Sequence, residues 1–436
     1  MPKTEARATG FLLQLGTAEQ IRASAQKDID LPAHSGFNSH IHLPPNFSAF
    51  QSVQQAVTLA AEQDIKVLGV GNYYDFSVYR QFSQEARSKG IFPLFGTEII
   101  ALEADLRADG IRVNDPGNPG KYYICGKGIT RFEQFSKKAA ELIGMIRRND
   151  VLRMREMTRK LSEVFREEGI DSDPEDKALI CRLADRYGCD PKTMTLQERH
   201  LCQVFQEVFF EKVPEKQRLQ KLADLFGAKP QSSPDDAAGI QNEIRSHLIK
   251  AGKKCFVPET FITLAQAKEL ILELGGVPCY PVLADGSKQL CEYETPVEKL
   301  IDTLKANNFS MVEFIPIRNQ PDILTKYVTA IRQSGIAVVA GTEHNTLDML
   351  PIEPACADRQ NIPDAIKKIF LEGICVLAGH QFLKANGQCG FVDQYDRPSP
   401  NYNSSEERIR EFSKIGAAVL DKYFKKIKDQ EKWTDG

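Results

Sequence analysis

The chain has 436 residues, of which 42% are hydrophobic and 26% charged, and its formal net charge is −3. This composition is typical of a globular protein with a large core, and the small net charge argues against a general binder of nucleic acid or membrane surfaces. No apolar run has the length of a membrane-spanning helix. The ten cysteines are scattered without a Cys-x-x-Cys pair, and the first residues lack the apolar core of a secretory signal. We therefore expect reduced thiols and a cytoplasmic protein.

The first strong strand pattern covers residues 36–42 and ends at two prolines. Because side chains alternate along a strand, Asn38, His40 and His42 should share one face. Two imidazoles at this spacing suit two ligands of one metal ion. The prolines place them at the carboxyl end of the strand, where parallel α/β folds build their sites.

Strand and helix patterns then alternate as far as residue 126. Helices are predicted at 48–63 and 77–89, and strands at 36–42, 65–71, 91–100 and 121–126. Strand–helix–strand units of this length predict a parallel sheet with crossover connections.

Residues 131–250 have helical patterns without a clear strand. Helices are predicted at 132–145, 153–167, 176–186, 196–213, 217–226 and 235–250. The segment is either a helical insertion carried by the sheet or a separate helical domain. Its first part is basic, which is typical of a solvated helix face. Alternatively, Arg147, Arg148 or Arg153 reaches an anionic substrate, since a guanidinium pairs well with phosphate or carboxylate.

The alternation resumes after residue 256. Strands are predicted at 277–285, 310–315, 336–342 and 374–378, with helices between them and a C-terminal helix ending near residue 428. Three helix starts have capping sequences, namely Thr263 to Gln266, Thr295 to Glu298 and Ser404 to Glu407.

Seven or eight mostly parallel strands, none followed by a Gly-x-Gly-x-x-Gly loop, favour a β/α barrel over an open dinucleotide-binding sheet. The predicted fold is α/β, a distorted TIM-like barrel of seven β/α units with a large all-helical insertion. We assign residues 1–130 and 251–400 to the barrel, 131–250 to the insertion and 401–436 to a C-terminal helix.

Metal-competent side chains recur at the predicted strand ends. In a barrel these ends meet at one mouth, so distant residues become neighbours. Asp75 is as well explained as a cap of the next helix, and Asp285 precedes glycine in a natural turn. The candidates are His40, His42, Asp75, Glu98, Asp285, Glu343 and His344.

The order of these motifs resembles the polymerase-and-histidinol-phosphatase (PHP) family of metallohydrolases over residues 35–125 and 255–345. The resemblance implies a distorted seven-stranded β/α barrel that holds up to three zinc, manganese or iron ions and hydrolyses phosphate esters. The matching motifs are Asn38-Ser-His-Ile-His42, Gly71-Asn-Tyr-Tyr-Asp75, Gly96-Thr-Glu98, Pro278-Cys-Tyr-Pro281 and Gly341-Thr-Glu-His-Asn345.

The chain departs from the family pattern at several ligand positions. Asn38 replaces an aspartate, Tyr74 and Tyr280 stand at histidine positions, and Asn345 stands at the last histidine. The resemblance therefore carries over four ligands and implies one or two ions rather than three. The ligands are His40, His42, Glu98 and Glu343.

These residues predict a metal-dependent hydrolase, preferably a phosphoesterase acting on a small anionic substrate, with no nucleic-acid or membrane partner. His344 or Asp75 would transfer protons, and Tyr74 or Tyr280 would orient the substrate. One alternative is an amidohydrolase-like or sugar-isomerase barrel, which would need two further histidines and has only His344 and His380. Another is a degenerate barrel that binds a ligand without turnover.

Overall fold

A computed structural model of the chain describes residues 7–26, 36–171, 176–191, 194–398 and 401–429. They divide into two compact units. The first comprises Met1–Leu43, Phe50–Ile143 and Ile262–Gly436, and the second Pro44–Ala49 and Gly144–Phe261.

The first unit is built on a seven-stranded sheet whose strands are ordered as in the chain. Neighbouring strands are parallel, except that the fourth runs antiparallel to the third and fifth. The strands are β1 Gly36–Ile41, β2 Ile65–Val70, β3 Phe92–Leu102, β4 Lys121–Lys127, β5 Val277–Val282, β6 Met311–Phe314 and β7 Ala337–Ala340.

Main-chain hydrogen bonds after β7 nearly close this sheet into a barrel. The Glu343 N–H donates to the His40 carbonyl at 2.8 Å, and the His42 N–H donates to the Glu343 carbonyl at 2.7 Å. The predicted TIM-like α/β barrel with a mostly parallel sheet is confirmed.

Helices cover the connections of the first unit and form most of the second. The α-helices are α1 Gly10–Leu13, α2 Ala18–Ser24, α3 Val53–Glu62, α4 Tyr79–Ser88, α5 Ala104–Ala108, α6 Lys137–Glu167, α7 Asp176–Tyr187, α8 Glu198–Lys212, α9 Glu215–Phe226, α10 Ala237–Ile244, α11 Leu264–Glu273, α12 Val297–Ala306, α13 Pro321–Gln333, α14 Asp364–Ala385 and α15 Ser405–Lys428.

Two of the three predicted helix caps are present. Thr263 forms a capping box with Gln266 at the start of α11, and the Ser404 side chain accepts from a main-chain N–H in the first turn of α15. The capping box predicted at Thr295 is wrong, because the N-cap of α12 is Pro296, whose side chain cannot form a hydrogen bond. Thr295 therefore lies one residue too early to reach the helix amides.

Two further predictions are corrected by the structure. The strand predicted at 374–378 lies within α14, whose apolar residues are buried around much of its circumference. A short apolar run of this kind is compatible with either a strand or a buried helix. The helices predicted at 132–145 and 153–167 are joined in the single helix α6, which begins only at Lys137, because no Gly or Pro interrupts residues 146–152.

The second unit has a core of its own, formed by helices α7 to α10 and the residues of α6 from 144 onward. The rings of Phe165 and Phe205 are fully buried there, with centroids 5.0 Å apart. Such aromatic burial is a large favourable contribution to a helical core. Among the described residues, no helix combines the length and the apolar character needed to cross a membrane.

His380 on α14 has a structural role in the first unit. Its buried ring lies between main-chain groups, with Nε2 3.0 Å from the Gly275 carbonyl and Nδ1 3.0 Å from the Phe391 nitrogen. A carbonyl can only accept, so Nε2 carries the proton and Nδ1 accepts from the Phe391 N–H. Burial lowers the pKa of His380 to about 3.

The low pKa of His380 predicts a loss of stability on acidification. Below pH 6.5 the unfolded chain binds a proton on this imidazole, whereas the folded chain does not until about pH 3. The free energy of unfolding should therefore fall as the pH falls, by up to about 1.4 kcal/mol per pH unit. Thermal unfolding should show a smaller loss of Tm between about pH 6.5 and 4.5 in His380→Asn than in the unmodified protein. His247→Asn, at a partly exposed position, is the control, and equal pH slopes in all three proteins would contradict the assignment.

Candidate metal centre

His40, His42 and Glu98 meet inside the first unit, and we call them the triad. All three side chains are buried. Oε2 of Glu98 lies 3.1 Å from Nε2 of His42 and 3.8 Å from Nε2 of His40. One ligand atom from each residue lies within 4.8 Å of the others, so the triad could hold a metal ion. The structure thus brings together three of the four residues predicted as ligands.

Glu313 fixes the orientation of the His40 ring. Its Oε2 lies 2.8 Å from Nδ1 of His40, and the ring nitrogen on the other side, Nε2, is buried without a hydrogen-bond partner among the described residues. Burial would raise the pKa of Glu313, but the Lys127 charge and the hydrogen bonds from His40 and Lys127 hold it well below the usual range. The ionised carboxylate accepts a hydrogen bond from the Nδ1–H of His40, which leaves the Nε2 lone pair directed at His42 and Glu98. Metal-binding histidines are oriented in this way.

Glu313 belongs to a buried charge network. Its Oε1 accepts hydrogen bonds from Nζ of Lys127 and from Oγ of Ser39, both at 2.6 Å. Glu313 is 0% exposed and Lys127 2% exposed. An ion pair so deeply buried is tolerated only when its hydrogen bonds are complete, which is the case for Glu313.

Two glycines make room for His40. A Cβ atom added to Gly71 would lie 2.4 Å from the His40 ring, and one added to Gly341 would lie 2.5 Å from the His40 Cβ. Both distances are far below van der Waals contact. The ring is therefore confined by the main chain on two sides as well as by Glu313.

Tyr73 is a site residue that the sequence analysis did not find. Its ring stacks on His42 with centroids 5.2 Å apart, and its hydroxyl is hydrogen-bonded to Glu98. Burial and the Glu98 charge raise the pKa of Tyr73 well above its usual value, so the phenol stays protonated and can donate. Gly69, Gly71 and Tyr73 occupy every second position, so they face the same side of this segment, where both glycines are closely packed. This spacing was the available signal for Tyr73 in the sequence.

Glu343, the fourth predicted ligand, is paired with an arginine. Nη1 and Nη2 of Arg318 donate to its two carboxylate oxygens at 3.0 and 2.6 Å, and Nδ2 of Asn345 donates to Oε2 at 2.6 Å. Glu343 is therefore not a member of the triad in this structure. Arg318 was not among the residues predicted from the sequence.

The two residues predicted to transfer protons, His344 and Asp75, both form hydrogen bonds with protein groups. His344 has Nε2 2.9 Å from the Leu350 carbonyl and Nδ1 2.7 Å from Oγ1 of Thr342. Oδ1 of Asp75 accepts from the Ser77 N–H at 2.9 Å in a local turn, whereas the N-cap of the next helix, α4, is Val78, so the alternative of Asp75 as a helix cap is wrong.

The two predicted substrate-orienting tyrosines differ in position. Tyr74 is buried beside Tyr73, with ring centroids 6.4 Å apart. The Tyr280 hydroxyl instead donates to Glu294 at 2.9 Å, within an aromatic cluster. Its neighbour Cys279 interacts electrostatically with Glu313, so Tyr280 faces the other side of β5. The structure does not bring Tyr280 to the triad.

Arg147, Arg148 and Arg153 lie on the part of α6 that belongs to the second unit. Nη2 of Arg153 lies 2.6 Å from Glu198 and 3.3 Å from Glu259. The Arg153 guanidinium thus connects elements of that unit.

No family model matches the chain, and no curated protein matches it. Among solved structures, a candidate metal-dependent phosphoesterase from Bifidobacterium adolescentis is similar with a TM-score of 0.49 and 13% identity, over 78% of this chain and 96% of that one. An amidohydrolase from Chromobacterium violaceum, solved with bound sulfate and no metal, has a TM-score of 0.48 and 16% identity, over 77% of this chain and 96% of that one.

The buried ion pair predicts a large stability loss in Lys127→Met. This change leaves the Glu313 carboxylate buried without its cation, which should lower the free energy of unfolding by about 3–5 kcal/mol. Lys138→Met is the matched control, because Lys138 forms a half-exposed pair with Glu269 at 3.3 Å. It should cost less than about 1 kcal/mol. Urea denaturation measures both, and equal losses would contradict the role of the buried pair.

Proposed function

We propose that the protein is a metal-dependent hydrolase, with phosphate esters of small molecules as its preferred substrates. The observation that carries the proposal is the state of His40. Glu313 occupies Nδ1 of this ring, and Nε2 points toward His42 and Glu98 without a hydrogen-bond partner in the part of the chain that the structure describes. A buried ring nitrogen in that state is costly unless a ligand occupies it.

The charges support the same assignment. Glu98 is buried, and among the described residues it forms no salt bridge with a lysine or arginine. A buried carboxylate requires a compensating positive charge. Two imidazoles and one carboxylate form a donor set that binds zinc and leaves a position open for substrate, and manganese or iron also accept it.

A divalent ion bound by the triad supplies Lewis-acid polarisation of the substrate and a more acidic water. The protein contributes the geometry. Glu313 keeps His40 in one tautomer, and the Tyr73 phenol holds Glu98 by a hydrogen bond while its ring packs on His42. These contacts fix each donor before substrate binds, which is a condition for efficient catalysis.

We prefer phosphate esters because the five motifs at the strand ends resemble those of the PHP family. The amidohydrolase-like or isomerase alternative needs two further histidines at the site. Both ring nitrogens of His380 are hydrogen-bonded to main-chain groups, of Gly275 and Phe391, and both ring nitrogens of His344 are hydrogen-bonded to protein groups. Neither is placed to complete such a site.

The first test is metal content. We expect the purified protein to bind about one equivalent of zinc, manganese or iron, and His40→Ala, His42→Ala and Glu98→Gln each to lose it, because each removes one of three donors. His247→Ala, which changes a histidine of the second unit, should retain the ion. Elemental analysis of the dialysed proteins measures the number of metal ions that each one binds. Less than one equivalent that is unaffected by the triad substitutions would favour a barrel that binds without metal chemistry.

The second test is turnover. The metal-loaded protein should hydrolyse members of a panel of small phosphate monoesters, and the His40→Ala/His42→Ala double variant should have no activity above background. The same preparations are assayed with cyclic amides and uronates. Turnover of those compounds instead of phosphate esters would establish the rival activity, and bound metal without any turnover would indicate a binding protein.

A further inference from the structure

Arg318 lies at the end of a short 3₁₀ turn, Pro316–Arg318, that directly follows β6. Its side chain is 37% exposed, whereas the side chain of its partner Glu343 is 9% exposed. The pair thus has one buried member and one member accessible from solvent.

The pair is adjacent to the triad. Glu343 is hydrogen-bonded through its main chain to both His40 and His42. Its carboxylate interacts electrostatically with the same two histidines, and the Arg318 guanidinium interacts with Glu98. A substrate group bound by the triad would therefore lie near Arg318.

One edge of the guanidinium is still available. Glu343 accepts hydrogen bonds from Nη1 and Nη2, and no described residue accepts from Nε of Arg318. A guanidinium has five N–H donors in a fixed plane, so the edge formed by Nε and Nη2 can bind a second oxyanion in two-point fashion.

The surrounding loop holds Arg318 in place. The Asp285 carboxylate accepts from Nδ2 of Asn319 at 2.8 Å and from the Gln320 N–H at 3.1 Å, immediately after Arg318. A Cβ added to Gly286 would lie 2.9 Å from the Arg318 Cβ, so only glycine allows this close packing. Asp285, which its position at a strand end made a candidate site residue, thus anchors the loop that carries Arg318.

The segment that presents Glu343 is strained. Glu343 and His344 have φ values of 60° and 54°, in the left-handed region that side chains other than glycine rarely adopt. Consecutive residues of this kind persist where the surrounding structure enforces them, and they are concentrated at functional sites. The carboxylate that this segment presents is the one bound by Arg318.

We propose that Arg318, oriented by Glu343, binds an oxyanion group of the substrate, phosphate or carboxylate, beside the triad. This inference rests on the proposed metal-dependent function. Lys127 and Arg318 balance Glu313 and Glu343, so a divalent ion on Glu98 gives these groups a net positive charge. An anion is the ligand that such a site attracts.

The test measures binding of inorganic phosphate, and separately of acetate, to metal-loaded protein by titration calorimetry. Phosphate affinity should fall about 10- to 100-fold in Arg318→Gln and less in Arg318→Lys, which keeps the charge but loses the fork. Metal content should be unchanged in both. Arg397→Gln, at an exposed arginine paired with Asp393, is the control and should bind phosphate normally.

Glu343→Gln separates the two roles open to this residue. As the residue that positions Arg318, it should keep the metal and lose part of the phosphate affinity. As a metal ligand, which the sequence predicted, it should lose the metal, and that result would overturn the positioning role. The Arg318→Gln/Glu343→Gln double variant removes both charges together and guards against misfolding caused by an unpaired buried carboxylate.

The remaining outcomes are distinct. If Arg318→Gln keeps its metal and binds phosphate as tightly as the unmodified protein, the arginine assignment is overturned and the metal site stands. The same holds if neither phosphate nor acetate binds the metal-loaded protein. If acetate binds and phosphate does not, the anion is a carboxylate. If the unmodified protein takes up no metal, the proposed function fails, and the arginine assignment fails with it.

Discussion

The structure of the site depends on one buried carboxylate. Glu313 on β6 accepts hydrogen bonds from Ser39 and His40 on β1 and from Lys127 on β4. Burying an ionised carboxylate is expensive unless every donor is in place, so this one group ties three strands to a single arrangement. The orientation of His40 is therefore a consequence of how the interior of the barrel balances its charge.

Steric confinement acts together with this electrostatic constraint. Gly71 and Gly341 approach His40 so closely that no side chain fits at either position. The His40 ring cannot turn toward either glycine. Its hydrogen bond to Glu313 also opposes a ring flip that would exchange Nδ1 and Nε2. A side chain held in this way loses little conformational entropy when it binds a metal ion. This raises the affinity for the ion of a site that has only a few donors.

Local patterns made most of the fold predictable. Strand and helix periodicity, the capping box at Thr263 and the Ser404 cap all depend on residues close together in the chain, and the structure confirms them. The strand predicted at 374–378 failed because a short apolar run is also compatible with a buried helix. Whether a segment forms a helix or a strand could thus be predicted wherever its sequence pattern was long or included a helix cap.

The partners inside the barrel were much harder to predict. Glu313 and Lys127 are single charges within apolar strands, and a charge at such a position must have a partner, but the sequence does not show which strand supplies it. Tyr73 was missed for a related reason. The pairing of β1 with β2 is irregular between Asn38 and Ile41, so counting residues along the strands does not identify the side chain that meets His42.

Asn38 has a structural role at one of the positions where the sequence departs from the PHP pattern. Its Nδ2 donates to Oγ1 of Thr342 at 2.6 Å and to the Ile352 carbonyl at 2.7 Å. An aspartate has no hydrogens for these two bonds, so the amide is required for the local structure. The residue belongs to the support of β1 and the segment after β7.

The number of ions that the site can hold depends on where its positive charge comes from. Three buried carboxylates, Glu98, Glu313 and Glu343, lie around the site in the described chain. The protein itself supplies cations to two of them, through Lys127 and Arg318. Additional metal ions would have to displace these side chains from pairs they already form, at the cost of leaving a buried lysine or arginine unpaired. A single divalent ion at Glu98 avoids that cost, and it is the stoichiometry that we propose.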